Sequence, residues 1–545
     1  MKCSVVLKIL ITLSGLLLSI PSSAQHQGIS HYDTLRGKLH EYRNCLELSF
    51  YDLQLRINPA QKSISGKNAI HYKSTRNHSK IQIDLFSNFI IDSVISSYEI
   101  AKIERDSNFI FVRFKNPVPQ GAQNIVTIHY SGKPQEANNP PWDGGFVWSK
   151  DSLGRTWAGV AVEGIGASLW WPNIDHISVK PDSMHMAFEV PDSLVCASNG
   201  RLEKKIPLND GYTRYHWKVT YPINNYNVTM NLAHYASFDD HYLSQSGDTL
   251  DLQYYVLDYN LEKAKKHFKQ VHDIIGGFEN LYAPYPFIRD SYKLIETSYW
   301  GMEHQSGISY GNNYKTDYFD FDYIILHESA HEWWGNSITA ADHGELWIHE
   351  SFATYTEALY IEKKFGYHAA LQYLAHQKKM IKNKEPMLGP LHVNFHHWEH
   401  PDMYYKGAWM LHSLRHYVNN DDLWFQTFKD ITNDLAYTIV NTQDIINYFS
   451  KKTGKDLQPF FDRYLKFASP PNFIYKIKKR KNHSILTYHW DKKTPDFDMP
   501  LDLIIDGKEV LRIYPTTQKQ KIKIETDGNI SIKKDFYIKV KSYDL

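Results

Sequence analysis

The segment His327-Glu328-Ser329-Ala330-His331 places two imidazoles four residues apart, with a carboxylate beside the first. Residues i and i+4 share a helical face, so both imidazoles can bind one Zn2+. Glu328 can then face the metal's water as a general base. The apolar run Tyr323–Leu326 leads into the motif and nothing breaks it before Gly335, which predicts one helix through Trp334. A catalytic zinc takes three protein ligands and keeps one position open. Glu350, 19 residues after His331, is the candidate third ligand. Its surroundings, Leu346–Ala353 and on through Glu362, read as a second helix that can turn Glu350 to the same metal. His349 is its neighbour but points about 100° away on that helix. Glu357, two turns further on, has two readings: an orienting partner for a zinc-bound histidine, or an ordinary exposed helix glutamate.

The elements around these residues divide the chain into blocks. Alternating runs such as Leu46–Leu55 and Ile81–Leu85, separated by turn signals, predict an antiparallel β domain over residues 25–240. Helical periodicity then predicts a mostly helical domain over 241–467, which holds the candidate metal ligands. Ser469-Pro470-Pro471 ends that pattern. The tail alternates again and predicts a small β-sandwich-like module over 468–545, so the fold class is α+β and multidomain.

Composition narrows the partners. The 545 residues are 42% apolar and 22% charged, ordinary globular values. Lys and Arg number 61 against 60 Asp and Glu, so the chain lacks the basic field of a dedicated nucleic-acid binder. Lys2 and Lys8, the apolar run Ile9–Leu18 and the small residues Ser22-Ser23-Ala24 predict a signal peptide over 1–24. The mature chain is thus expected to be exported, to periplasm, cell surface or medium, with no transmembrane span. Cys45 and Cys196 remain after cleavage; they can pair or stay as buried thiols.

HExxH, eighteen intervening residues and then Glu350 inside Trp347-Ile348-His349-Glu350-Ser351-Phe352-Ala353 resembles the aminopeptidase N family of zinc exopeptidases, to which leukotriene-A hydrolase also belongs. Three further segments carry the likeness. Gly301-Met302-Glu303-His304 resembles the family's Gly-x-Met-Glu-Asn loop, and Tyr404-Tyr405-Lys406-Gly407-Ala408 its Tyr-Glu-Lys-Gly-Ala segment. Upstream, Trp171-Pro172-Asn173-Ile174-Asp175 and Ser198-Asn199-Gly200 resemble turns of its N-terminal domain. The likeness runs from about Asn44 to Phe467 and implies a thermolysin-like catalytic domain with one zinc per chain, held by His327, His331 and Glu350.

The resemblance also implies roles. Glu303 would bind the free α-ammonium of a peptide, by the charge-assisted pairing that carboxylates offer. Glu163, nine residues before Pro172, falls where relatives place a second amine-binding side chain. Gly301 and Met302 would pair with the substrate backbone like an edge strand. Tyr404 would donate its phenol to the developing oxyanion. The expected activity is zinc-dependent removal of the N-terminal residue from peptides. Two alternatives are a thermolysin-like endopeptidase, which needs no amine-binding Glu303, and a peptide-binding relative, which would lack Glu328 or Tyr404.

The chain departs from the pattern in four places. Trp300 stands where the loop's first Gly would be, His304 replaces Asn, and Tyr405 replaces Glu. A charged His304 beside Glu303 would compete with the substrate ammonium and weaken activity below about pH 6.5. About 75 residues follow Pro470, too few for the large helical C-terminal domain of many relatives, so the site is expected to be more open.

Overall fold

A computed structural model describes residues 29–543 apart from 318 and 397. The predicted signal peptide lies outside the described residues. A short helix, His31–Gly37, precedes the first strand. The N-terminal domain is built on a seven-stranded sheet whose central strand, Leu46–Asn58, turns Tyr51, Leu53, Leu55 and Ile57 into the core. Its period-two pattern pairs antiparallel with Ser63–Ser74 across a tight turn, Asn58 opposite Ser63. The strand Leu46–Asn58 departs from the expected antiparallel pattern and runs parallel to Ser183–Pro191. Two smaller sheets, of four and three strands, complete the layer. Cys45 and Cys196 are buried free thiols rather than a disulfide, and burial pushes the Cys45 thiol up to about 11.

The strand Tyr235–Leu243 spans the 240/241 boundary expected from sequence and belongs to a five-stranded sheet with Thr249–Leu257, Tyr292–Glu296, Ile308–Tyr310 and Gly301–Met302. Gly301–Met302 forms one edge of this sheet. Helices pack against it. Asp322 caps the first helix of the motif, Tyr323–Ala330, by accepting from the Ile324 amide at 3.0 Å. The same carboxylate accepts from the Tyr310 hydroxyl at 2.6 Å and from Asn312 at 2.8 Å, which ties the helix start to the sheet.

The predicted helix through Trp334 is shorter than expected. It ends at Ala330, and the chain loosens into wider turns, Asn336 N to His331 O at 3.0 Å and Ser337 N to Glu332 O at 3.1 Å. This frees the Trp334 carbonyl for a side chain. The second helix, Trp347–Phe365, is buried along Trp347–Ile361 and locked by Phe352 stacked on Trp334 with centroids 4.1 Å apart. The third, Asp402–Val418, crosses it closely at Gly407, where a Cβ would lie 1.8 Å from the Ser351 hydroxyl. Only glycine permits that approach. Lys406, the residue before it, reaches out of the helix to the carbonyls of Phe467 and Ala468 at 2.7 and 3.0 Å. The Lys-Gly-Ala segment therefore fixes Tyr404 one turn earlier. Beyond residue 467 the two expected small sheets, of four and three strands, form the C-terminal module. No helix among the described residues is long and apolar enough to cross a membrane.

Candidate active site

Three nitrogen and oxygen atoms meet between the first two helices. His327 Nε2 lies 3.2 Å from His331 Nε2, and each lies 3.5 Å from Glu350 Oε2. Ligands about 2.0–2.1 Å from a tetrahedral zinc sit about 3.3 Å from one another, so the triangle has the size of one metal. Glu350 Oε2 is buried without a hydrogen-bond partner, as expected of an atom waiting for a ligand. Each imidazole is steered from its other nitrogen. His327 Nδ1 is 2.7 Å from Glu357 Oε1, and His331 Nδ1 is 2.9 Å from the Trp334 carbonyl that the loosened helix end releases. Glu357 is fully buried and accepts on Oε2 from Tyr373 and Gln377, so the orienting reading holds and the exposed one falls. His349, the rival ligand, faces away and accepts from the Ala340 amide on Nε2.

The charge of this pocket calls for cations. Burial lowers the His331 pKa, but Glu350 and Glu303 outweigh it and raise the imidazole to about 9. Burial pushes the Glu328 carboxyl up to about 7, with His327 opposing and Glu303 adding to the rise. Burial raises the Glu163 carboxyl well above the usual range, reinforced by Glu303, Glu350 and Glu328. These four glutamate carboxyl groups thus line one cavity, and a His2Glu donor set at tetrahedral spacing fits Zn2+.

All nine residues predicted for the site line a single cavity of about 300 Å3. Gly301 runs directly against the motif helix: a Cβ there would fall 2.5 Å from Glu328 Oε1 and 2.9 Å from Ile324. Glycine is therefore what lets the edge strand pass beside the metal ligands. Met302 and Glu303 follow along that edge, and Glu303 Oε1 accepts from the Tyr226 hydroxyl at 3.1 Å. The loop is gripped from both sides: from the N-terminal domain Asn227 donates to the Glu303 carbonyl, Asn199 to the Gln305 carbonyl and the Gly200 amide to the Ser306 hydroxyl, and from beyond the motif helix Asn336 also donates to the Glu303 carbonyl. The Ser198-Asn199-Gly200 turn thus holds the carboxylate in place. Glu163 arrives on the turn after the Thr156–Ala161 strand, with Oε1 sealed from solvent and unpaired. Asp175 accepts from the Ser168 amide at 2.9 Å in the short helix Ala167–Leu169 that follows, so the Trp171–Asp175 segment holds the chain just beyond Glu163.

Tyr404 lines the cavity with its ring 6.1 Å from that of His327, whereas Tyr405 is outside the lining. Its phenol is a donor held beside the metal triangle. His304 corrects an expectation. It is fully buried, its Nδ1 3.1 Å from the Ser309 hydroxyl, and burial pushes it down to about 3. The ring is neutral throughout the working range, so it does not compete with an ammonium and sets no acid limb near pH 6.5.

Tyr226, Asn336 and Trp142 reach this site without having been singled out in the sequence. Asn224-Asn225-Tyr226-Asn227 reads as a polar turn, yet all four residues are buried. Trp142 lies in a loop of the N-terminal domain that meets the cavity only through the domain contact.

Comparison with known proteins agrees with this geometry. The Peptidase family M1 domain matches residues 304–464, and the Peptidase M1 N-terminal domain matches residues 48–226. Aminopeptidase B of Mus musculus is 23% identical over 52% of this chain and 46% of its own length. Endoplasmic reticulum aminopeptidase 1 of Mus musculus is 21% identical over 78% of this chain and 44% of its own. The chain thus spans less than half the length of these relatives. A crystal structure of an M1 zinc metallopeptidase variant from Deinococcus radiodurans, bound to a Tyr-Ser-Ala substrate, superposes with a TM-score of 0.65 at 18% identity, covering 78% of this chain and 95% of the other. Two matched domains in the expected order, which together take in more than half of the residues, place the chain in peptidase family M1.

Proposed function

We propose that the protein is a zinc-dependent aminopeptidase that removes the N-terminal residue of peptides, with His327, His331 and Glu350 holding one zinc. The observation that carries this reading is the pair Glu303 and Glu163, two carboxylates facing the metal triangle across one cavity, one of them with an unpaired buried oxygen. A substrate ammonium is the cation that satisfies them. An endopeptidase has no use for that arrangement, and a binding relative has none for an intact Glu328 and Tyr404.

Zinc held there would polarise the scissile carbonyl and acidify a water. Glu328, which lines the same cavity as the three ligands, would take the proton from that water and return it to the leaving amine. Tyr404 donates its phenol to the oxyanion that develops on the carbonyl. Glu303, steadied by Tyr226, and Glu163 fix the ammonium, while the free edge at Gly301–Met302 pairs with the substrate backbone. Export through the N-terminal segment, to periplasm, surface or medium, rests on its charge and apolar pattern. A panel of aminoacyl substrates, free and N-acetylated, assayed with and without a chelator, tests the reading. Chelator-sensitive cleavage of the free substrates alone is expected; equal cleavage of both sets points to the endopeptidase.

A further inference from the structure

At the rim of the cavity, a run of ring contacts leads out from the metal site through residues that the proposed chemistry does not use. Trp142 and Trp300 have centroids 6.2 Å apart, Trp300 stacks on Tyr323 at 5.6 Å, and Tyr323 stacks on the metal-site residue His327 at 5.5 Å. Trp300 is 44% exposed and Trp142 65% exposed, so the strip runs from the metal site out to solvent. Large rings left this open at a cavity mouth lack their own apolar cover. Both are lining residues of the cavity.

Strand geometry places the strip relative to a substrate. The ammonium sits at Glu303, and Gly301, two residues back along the edge, lies against Glu328. The scissile bond therefore sits beside Gly301, and the rest of the peptide continues past Trp300. Trp300 precedes the two-residue strand Gly301–Met302 and lines the cavity on the far side of Gly301 from Glu303, where the residue after the cleaved bond would lie. The closed end of the cavity holds the amine, so the open, aromatic end receives the leaving part.

We propose that Trp300, Trp142 and Tyr323 form a platform that selects peptides with an aromatic side chain at the second position. This rests on the aminopeptidase reading and adds to it the substrate class on the leaving side. Offset or edge-on ring contacts supply the selectivity, and Trp300 in place of the glycine expected there is what creates it.

The test compares tripeptides that share the best first residue and differ at the second, Phe against Ser, in the wild type, Trp300→Gly and Trp142→Ala. About a tenfold preference in kcat/KM for Phe is expected in the wild type, the size of one to two aromatic contacts. It should fall several-fold in each variant. Titration of the same peptides into Glu328→Gln, followed by tryptophan fluorescence, should show the Phe preference in binding as well. Free peptides cleaved with no second-position preference, or a preference unmoved in both variants, overturns the platform and leaves the aminopeptidase reading standing. Cleavage of no free peptide, with no binding to Glu328→Gln, overturns both.

Discussion

Glu357 Oε1 lies 2.7 Å from His327 Nδ1, and its other oxygen is taken by Tyr373 and Gln377 at 2.6 and 2.8 Å. The buried carboxylate therefore fixes which imidazole nitrogen faces the metal and how the ring is turned. Purified protein should carry about one zinc per chain, and Glu350→Ala should lose most of it. Glu357→Ala should keep the ligands but weaken zinc binding about 10–100-fold, measured by competition with a chelator. Unchanged zinc content in Glu350→Ala would contradict the ligand assignment.

Glu328 and Tyr404 act on protons and charge rather than on the metal, so their variants should separate binding from turnover. Glu328→Gln should retain zinc and lose activity by orders of magnitude. Tyr404→Phe should lower kcat by about 10²–10³, the cost of one oxyanion donor, while Tyr405→Phe changes little because that ring lies outside the cavity. The reverse pattern for the two tyrosines would transfer the role.

His304 gives a stability signature instead of an activity limb. Its folded pKa, about 3, lies below the unfolded value near 6.5, so the unfolded chain binds the extra proton as pH falls. The neutral ring's contribution is full above about pH 6.5 and is lost at about 1.4 kcal/mol per pH unit below it. His304→Asn should remove that dependence, about 2 kcal/mol between pH 6.5 and 5. Thermal melts of both proteins across that range check it, and parallel curves would show that the imidazole titrates in the folded state.

The metal triangle was legible in the sequence because its signals are local. HExxH and the Glu350 helix are periodic patterns, and helix periodicity turns spacing directly into direction. Glu357 was only half legible: its spacing gave the face, but burial decided between its two readings. The edge strand Gly301–Met302 is two residues long, too short for any alternation to register. The grip of Asn199 and Asn227 on the Glu303 loop, and the meeting of Trp142 with Trp300, are contacts between segments more than 70 residues apart. The early end of the motif helix was invisible for a different reason. No residue type breaks it; the wider turns after His331 arise as the chain packs, and they supply the carbonyl that orients His331.

The central claim is that Glu303 anchors a free ammonium. Breaking a buried charge pair of this kind costs about 2–5 kcal/mol, or roughly 30- to several-thousand-fold in kcat/KM. The direct measurement is kcat/KM for matched free and N-acetylated peptides in the wild type and in Glu303→Gln. The wild type should barely cleave the acetylated peptide, which leaves Glu303 desolvated without a countercharge, and in Glu303→Gln the preference for free N-termini should collapse through loss of activity on free peptides. A wild type that cleaves both peptides equally well would contradict the account.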